Sequence, residues 1–124
     1  MTQLQHDSSQ PAWNLAELLL RVENDDELLR DLLHIFREDF PPMIGSLQAA
    51  VAATDLKNIA TVSHTLRGML SNLAATRAAT IAGELEKLAK AEDQSAIGSV
   101  LVRLQQETSR LSGEIEAYLN GVRA

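Results

Sequence analysis

The stretch "LKNIATVSHTLRGMLSNL" (Leu56 to Leu73) carries the pattern from which the architecture of this chain can be inferred. Its apolar residues recur every three or four positions, a spacing that places them on one side of an α-helix. They are Leu56, Ile59, Val62, Leu66, Met69, Leu70 and Leu73. The pattern therefore predicts an amphipathic helix over this stretch, with its apolar side buried.

The segments on either side of this helix repeat the same helical period, and none alternates apolar and polar residues as a strand would. We expect further helices from Asn14 to about Arg21, from Asp25 or Asp26 onward, from about Ala75 to Ala91, and from about Ala96 to Leu119. The consecutive Pro41 and Pro42 leave two alternatives, either one long kinked helix to about Ala53 or a new segment that starts at Pro42. Because the connections are short, we predict an all-α fold, an antiparallel up-down-up-down four-helix bundle with a short additional N-terminal helix.

The chain has 124 residues, which is about the length of one domain. We assign residues 1–13, which begin with the polar stretch "MTQLQHDSSQP", to a flexible tail or linker and residues 14–121 to the helical bundle. The chain has no cysteine and no apolar run of the length that a membrane span needs. With a net charge of −6, it is poorly suited to nucleic acid or to an anionic lipid surface, so we expect no contact with either. We expect a cytoplasmic monomer.

A second stripe on the central helix carries polar and small residues, and we expect it to face solvent or the edge of a neighbouring helix. It consists of Ala60, His64, Arg67, Gly68 and Ser71. Glycine inside a helix costs about 1 kcal/mol relative to alanine, so Gly68 suggests that a bulky group must approach His64. Arg67, three residues after His64, can offer its guanidinium to an anion. Residues 55–80 contain three basic residues and one acidic residue, a basic island in an acidic chain.

Each of these residues also has a plainer interpretation. A lone surface histidine usually has no function, and a glycine inside a helix more often relieves packing than receives a partner. Arg67 alone would be a solvated charge. The three residues are more informative together, because their spacing of i, i+3 and i+4 places them on one face.

The motif "HTLRG", preceded by "ATVS" and followed by "SNLAA", resembles that of histidine-containing phosphotransfer (HPt) domains. The stretches "DDELLRDLLHIFREDFPPMIGSLQAAVAATDL" and "AGELEKLAK" resemble the helices that precede and follow this motif in the family, so the resemblance covers about Asn14 to Leu119. It implies that His64 is the phosphoacceptor and that Arg67 replaces the family's usual lysine beside the phosphoryl group. It also implies that Gly68 leaves room for a partner and that Glu86 supports the histidine from the next helix. As a plainer alternative, Glu86 is a surface acid paired with Lys90.

The resemblance implies a phosphocarrier domain rather than an autonomous enzyme. Such a domain relays phosphoryl groups between aspartates of receiver domains, which belong to response regulators or hybrid histidine kinases of two-component systems. It would need no cofactor of its own, since the receiver supplies Mg²⁺. The sequence is compatible with a free-standing protein and with a fragment of a hybrid sensor kinase.

The sequence departs from the family pattern at three positions. Ala74 stands where the family often has glycine, so we expect the turn after the central helix to differ, with Asn72 as the alternative left-handed residue. Met69 and Leu70 are larger than the small residues common after the glycine, which bears on the choice of partner.

Three rival functions remain open at this stage. The bundle could be a helical interaction module that is not phosphorylated. It could instead be an HPt-type domain that an ATP-binding kinase domain phosphorylates directly. A metal-dependent bundle enzyme is the least favoured, because the three histidines share no metal-ligand spacing.

Overall fold

The computed structural model describes residues 10–121, and within this range it contains helices and no strand. The helices are α1 (Leu15–Arg21), α2 (Asp26–Ala52), α3 (Leu56–Asn72), α4 (Thr76–Lys90) and α5 (Ile97–Leu119), with one 3-10 turn at Gln94–Ala96 before α5. Each of the four long helices contacts its neighbour in the chain, and α5 contacts α2 to close the bundle. The predicted all-α, antiparallel four-helix bundle with a short N-terminal helix is confirmed. None of the helices in residues 10–121 combines the length and the apolar character needed to cross a membrane.

Helix α2 passes through both prolines without a break, which settles the alternative that the sequence left open. Pro41 and Pro42 are exposed, so the carbonyls that lose a helical N–H partner belong to the solvent side of the helix. The buried side continues past them, from Phe40 before the prolines to Leu47 after them. Burial of this continuous apolar side holds the helix together across the proline pair.

The first three helices begin with a side chain that accepts a hydrogen bond from the third residue after it. Asn14, Asp25 and Asp55 accept from the backbone N–H groups of Glu17, Leu28 and Asn58, respectively. These caps satisfy backbone donors that would otherwise lack a partner in the first helical turn. The polar residues between the apolar stretches therefore set where each of these helices begins.

Helices α1 to α4 all end in the same hydrogen-bonded turn, and its left-handed position is never glycine. Glu23, Thr54, Ala74 and Glu92 occupy this position, with φ between 53° and 57°, and Asn24 after Glu23 is also left-handed, with φ 61°. In each turn, the N–H of the following residue donates to a carbonyl five residues earlier, as from Ala75 to Leu70. The expectation that Asn72 would be left-handed is wrong, because α3 continues through Asn72 and the left-handed position falls at Ala74, which is buried in the core.

The chain before α1 packs against the bundle from Ala12 onward. Ala12 and Trp13, which the sequence analysis placed in the tail, are both buried. The backbone N–H of Ala12 donates to Oε1 of Glu114 at 2.8 Å, and the Trp13 ring meets the Tyr118 ring edge-on. Residues 1–9, the larger part of the predicted tail, lie outside the described residues, so their assignment stays a prediction.

Helices α3 and α4 form the most extensive contact in the bundle. The reason lies in the composition of α4, whose buried residues are mostly alanine: Ala78, Ala79, Ala82 and Ala89, besides Ile81, Leu85 and Glu86. Small side chains allow two helix backbones to approach closely, and the larger leucines of α3 fill the remaining space. This close approach brings polar residues of α4 within reach of those on α3.

The turn after α2 allows a test of how much strain a non-glycine residue causes at the left-handed position of a helix end. We expect Thr54→Gly to raise the free energy of unfolding by about 1 kcal/mol, because a β-branched residue is strained at positive φ and glycine is not. Thr54 is exposed, so the change removes no packing. Gln48→Gly, an exposed control within α2, should lower the free energy of unfolding by about 0.5–1 kcal/mol. Urea unfolding measures both, and a loss of stability in Thr54→Gly would contradict the prediction.

Candidate functional site

His64 lies near the middle of α3, on the side that faces away from the core. The buried side of this helix carries Ile59, Ser63, Leu66 and Leu70. The His64 side chain is 62% exposed, and its Nδ1 lies 3.0 Å from Oε2 of Glu86 on α4. No residue in the described part of the chain hydrogen-bonds Nε2 of His64, which belongs to this largely exposed ring.

Glu86 is a buried acid that receives charged or polar groups from both helices. Its side chain is only 6% exposed. Oε2 lies 3.0 Å from Nδ1 of His64 and 3.0 Å from Nζ of Lys90, one turn later on α4. Oε1 lies 3.6 Å from Nη2 of Arg67 and has no hydrogen-bond partner among residues 10–121. Glu86 therefore contacts both His64 and Lys90, but it is a buried acid and not the surface acid of the plainer interpretation.

The ionisation of Glu86 follows from these partners. Burial raises the pKa of its carboxyl group, but the opposing effects are together larger. The hydrogen bond from Lys90, the charges of Arg67 and Lys90 and the hydrogen bond from His64 all lower it, and the net pKa lies below the ordinary value for glutamate. Glu86 is therefore a carboxylate at neutral pH, and it can only accept hydrogen bonds.

The ionised Glu86 fixes which nitrogen of His64 carries the proton. A carboxylate 3.0 Å from Nδ1 requires a proton on that nitrogen, which leaves the lone pair of the neutral ring on Nε2. Nη2 of Arg67 also lies 3.2 Å from Nδ1, and a protonated Nδ1 cannot accept from it. We therefore assign the hydrogen bond to Glu86, and regard Arg67 as an electrostatic partner of the carboxylate.

Gly68 and Arg67 lie beside His64 on the same face of α3, as their spacing predicted. A Cβ atom placed on Gly68 would have no atom within 4 Å, so the space above this position is open to solvent. The structure thus brings together all four predicted site residues. Three come from one helix, and Glu86 comes from the next.

The site lies at one end of a groove between α3 and α4. The sequence analysis did not identify most of the other residues that line this groove. The groove is lined by Arg21, His64, Arg67, Ser71, Thr76, Ala79, Thr80, Gly83, Glu84, Glu86, Lys87 and Lys90. At the far end, Nη1 of Arg21 donates to the backbone carbonyl of Ser71 at 3.0 Å. The signal that could have found Lys87 is its spacing from Glu84, which places it one turn further along α4, as Lys90 is from Glu86. The groove carries more basic than acidic side chains, although the chain is acidic overall.

The lowered pKa of Glu86 predicts how its contribution to stability depends on pH. A carboxyl group whose pKa is lower in the folded protein stabilises the fold above its unfolded pKa, and this contribution is lost as the pH falls through the folded pKa. Glu86→Gln should therefore lower the free energy of unfolding by about 1–2 kcal/mol near pH 7 and by less near pH 3, which lies below the unfolded pKa. Urea unfolding at both pH values measures this difference.

Glu84→Gln, on the same helix, is the matched control. Glu84 is exposed and pairs with Arg103 at 3.2 Å. Because exposed ion pairs contribute less than about 1 kcal/mol, this change should have a small effect at either pH. An equal loss of stability for Glu86→Gln at both pH values would show that the carboxylate charge is not what stabilises the fold.

Known proteins are similar to this chain in sequence pattern and in fold. The family model described as "Hpt domain" matches residues 31–120 of the chain. The structure is similar to histidine-containing phosphotransfer protein B (HptB) from Pseudomonas aeruginosa PAO1, with a TM-score of 0.83 and 22% identity, covering 91% of this chain and 98% of that one. It is also similar to the HPT domain of the Hpt sensor hybrid histidine kinase from Shewanella, with a TM-score of 0.78 and 16% identity, covering 91% and 97%.

These two likenesses concern the fold, since both identities are low. Among curated proteins, none matches the chain. The family match extends over most of the chain and includes α3, α4 and α5 entirely. The chain therefore belongs to the Hpt domain family, the histidine phosphotransfer domains of two-component phosphorelays.

Proposed function

We propose that His64 is the phosphoacceptor of this domain, and that it carries a phosphoryl group between aspartates of two receiver domains. The observation that supports this most directly is the state of the imidazole ring. Nδ1 is held by the ionised Glu86 at 3.0 Å, and Nε2 is free at the surface with its lone pair available. A nucleophile in a phosphorelay needs both properties, a fixed tautomer and access from outside.

The transfer step follows from this arrangement. Nε2 of His64 attacks the phosphorus of a phosphoaspartate on the receiver, in line with the bond that breaks. The new bond joins nitrogen to phosphorus, and the electron pair of the broken phosphorus–oxygen bond remains on the aspartate carboxylate. No proton has to leave His64, because Nδ1–H stays hydrogen-bonded to Glu86. The positive charge that develops on the ring is offset by the buried carboxylate.

Arg67 and Gly68 act on the side of the ring that the partner approaches. The Arg67 guanidinium lies beside the imidazole and adds positive charge where phosphoryl oxygens arrive. Gly68 leaves open space one turn from His64, which allows the receiver backbone to come close. The receiver supplies the Mg²⁺ ion and the aspartate, so this domain contributes the nucleophile and its support and acts as a carrier.

The partner class follows from the family and from the groove. Hpt domains interact with receiver domains, whose phosphorylated aspartate is strongly anionic. The basic side chains of the groove, Arg67 and Lys90 among them, complement such a partner. We propose that the protein works as a monomer in the cytoplasm, where receiver domains occur. Phosphotransfer profiling against a set of receiver domains identifies the receivers that it serves.

The nucleophile can be identified by intact mass. We expect the protein to gain one acid-labile phosphoryl group when it is incubated with a phosphorylated receiver and Mg²⁺, and we expect His64→Gln to gain none. His34→Gln is the matched control. His34 is also an exposed helical histidine, but its Nδ1 contacts Arg37 at 2.9 Å rather than a buried acid. This variant should be phosphorylated to the same extent as the unaltered protein.

Other outcomes of this experiment separate the rival functions. An adduct on both the unaltered protein and His64→Gln would move the site away from His64. An adduct that forms with an ATP-loaded kinase domain, but with no phosphorylated receiver, would favour direct phosphorylation by a kinase. If none of these donors modifies the protein, an interaction module without phosphorylation becomes the better account.

Two variants separate the two effects of Glu86 on His64, which are orientation of the ring by the hydrogen bond to Nδ1 and stabilisation of positive charge on the ring by the carboxylate. Glu86→Ala removes the acceptor for Nδ1–H, and we expect the rate of phosphoryl transfer to fall by about tenfold or more. Glu86→Gln keeps an acceptor oxygen without the charge, so its rate should lie between those of the other two proteins. The rates are measured from quenched transfer reactions, whose products are separated by gel electrophoresis or identified by mass spectrometry. Equal rates for all three proteins would rule out a role for Glu86 in orienting His64.

A further inference from the structure

Gly83 of α4 lies directly under the side chain of Arg67. A Cβ atom at this position would be 3.2 Å from Cδ of Arg67 and 3.8 Å from its Nη1. All six glycines of the chain lie within residues 10–121, and a Cβ on any of the other five would have no atom within 4 Å. Gly83 is therefore the glycine whose lack of a side chain makes room for the side chain of Arg67.

The backbone of α4 does not itself require glycine at this point. Gly83 is in the interior of a regular helix, and its φ is not in the left-handed region. Glycine in such a position lowers helix stability relative to alanine. The cost is understandable if the space above the backbone is needed, and the residue that occupies this space is Arg67.

The position of Arg67 matters for the rest of the site. Its stem runs from α3 across to α4, so that Nη2 lies 3.2 Å from Nδ1 of His64 and 3.6 Å from Oε1 of Glu86. Oε1 is buried and has no hydrogen-bond partner within residues 10–121, so Arg67 provides its nearest compensating charge. A shift of the guanidinium away from α4 would remove this charge from both the carboxylate and the ring.

We propose that Gly83 is a positioning residue, which seats the Arg67 side chain against α4 so that its guanidinium stays beside His64 and Glu86. The proposal rests on the proposed function, because it assumes that Arg67 assists transfer to His64. Gly83 touches neither the phosphoryl group nor the reacting nitrogen. Its effect on transfer passes entirely through Arg67.

The test is a double-mutant cycle between positions 83 and 67. Gly83→Ala and Gly83→Leu are each made in the unaltered protein and in Arg67→Ala. With Arg67 present, we expect Gly83→Leu to slow transfer from a phosphorylated receiver by about tenfold, and Gly83→Ala to slow it by about two- to threefold. In the Arg67→Ala background, neither change should slow transfer further, because the residue to be displaced is gone.

A second readout does not depend on phosphoryl transfer. The carboxyl carbon of Glu86 can be followed by carbon-13 NMR as the pH is varied. Because the charge of Arg67 lowers the pKa of Glu86, Gly83→Leu should move this titration toward higher pH when Arg67 is present and leave it unmoved when position 67 is alanine. This measurement shows whether Gly83 seats Arg67, even if transfer is too slow to follow.

Gly113→Ala is the control for helix stability. Gly113 is an exposed glycine within α5, and a Cβ there meets nothing. Gly113→Ala should raise the urea midpoint and leave the transfer rate unchanged, whereas Gly83→Ala should slow transfer. Slower transfer in Gly83→Ala alone would show that the effect does not come from exchanging a helical glycine for alanine. If Gly83→Leu does not fold, Gly83→Ala still decides the question.

Two results would overturn the proposal. One is an unchanged transfer rate and an unchanged Glu86 titration in both Gly83 variants. The other is a loss of rate that persists in Arg67→Ala, which would mean that the new side chain obstructs the receiver directly. Failure of the proposed function is a different result: the unaltered protein would gain no phosphoryl group, and the titration alone would then decide whether Gly83 seats Arg67.

Discussion

One buried carboxylate, that of Glu86, organises the functional face of this bundle. A charge so far removed from water is unfavourable unless other charges and hydrogen-bond donors surround it. Here the groups come from both helices, His64 and Arg67 from α3 and Lys90 from α4. The carboxylate can reach α3 only because the alanines of α4 allow the two helices to pack closely. The packing of the core thus determines the protonation of the histidine at the surface.

The sequence predicted the part of this site that lies within one helix. His64, Arg67 and Gly68 follow from the helical period alone, since i, i+3 and i+4 must share a face. Glu86 entered only through the resemblance to HPt domains, because the helical period does not say how two helices are rotated against each other. Gly83 was not identified, because its contribution is an empty space that only the neighbouring Arg67 reveals.

In the fold as well, the sequence predicts features that depend on neighbouring residues of one helix better than features that depend on contacts between helices. The starts of α1, α2 and α3 carry their own polar caps and were placed within one or two residues. The helix ends carry no glycine until Gly121, so the left-handed Ala74 could not be told from Asn72 by residue type. The spacing of Leu28 and Leu32 places them with the apolar residues of α2, yet they are 44% and 38% exposed. The helical period gives the direction of the apolar side, and the neighbouring helices decide how much of it is covered.

The arginine at position 67 and the glycine at position 83 are best understood as one feature. The resemblance to HPt domains leads to the expectation of a lysine at position 67, whose ammonium is a compact charge on a flexible stem. A guanidinium is broader and planar, and it can lie beside a ring and a carboxylate at the same time. To do so from α3, the stem of Arg67 must lie against the backbone of α4, at the place where Gly83 has no side chain. A side chain at position 83 would therefore displace Arg67, and without Arg67 the space at Gly83 would have no occupant. The two residues depend on each other although they are 16 positions apart in the sequence and on different helices.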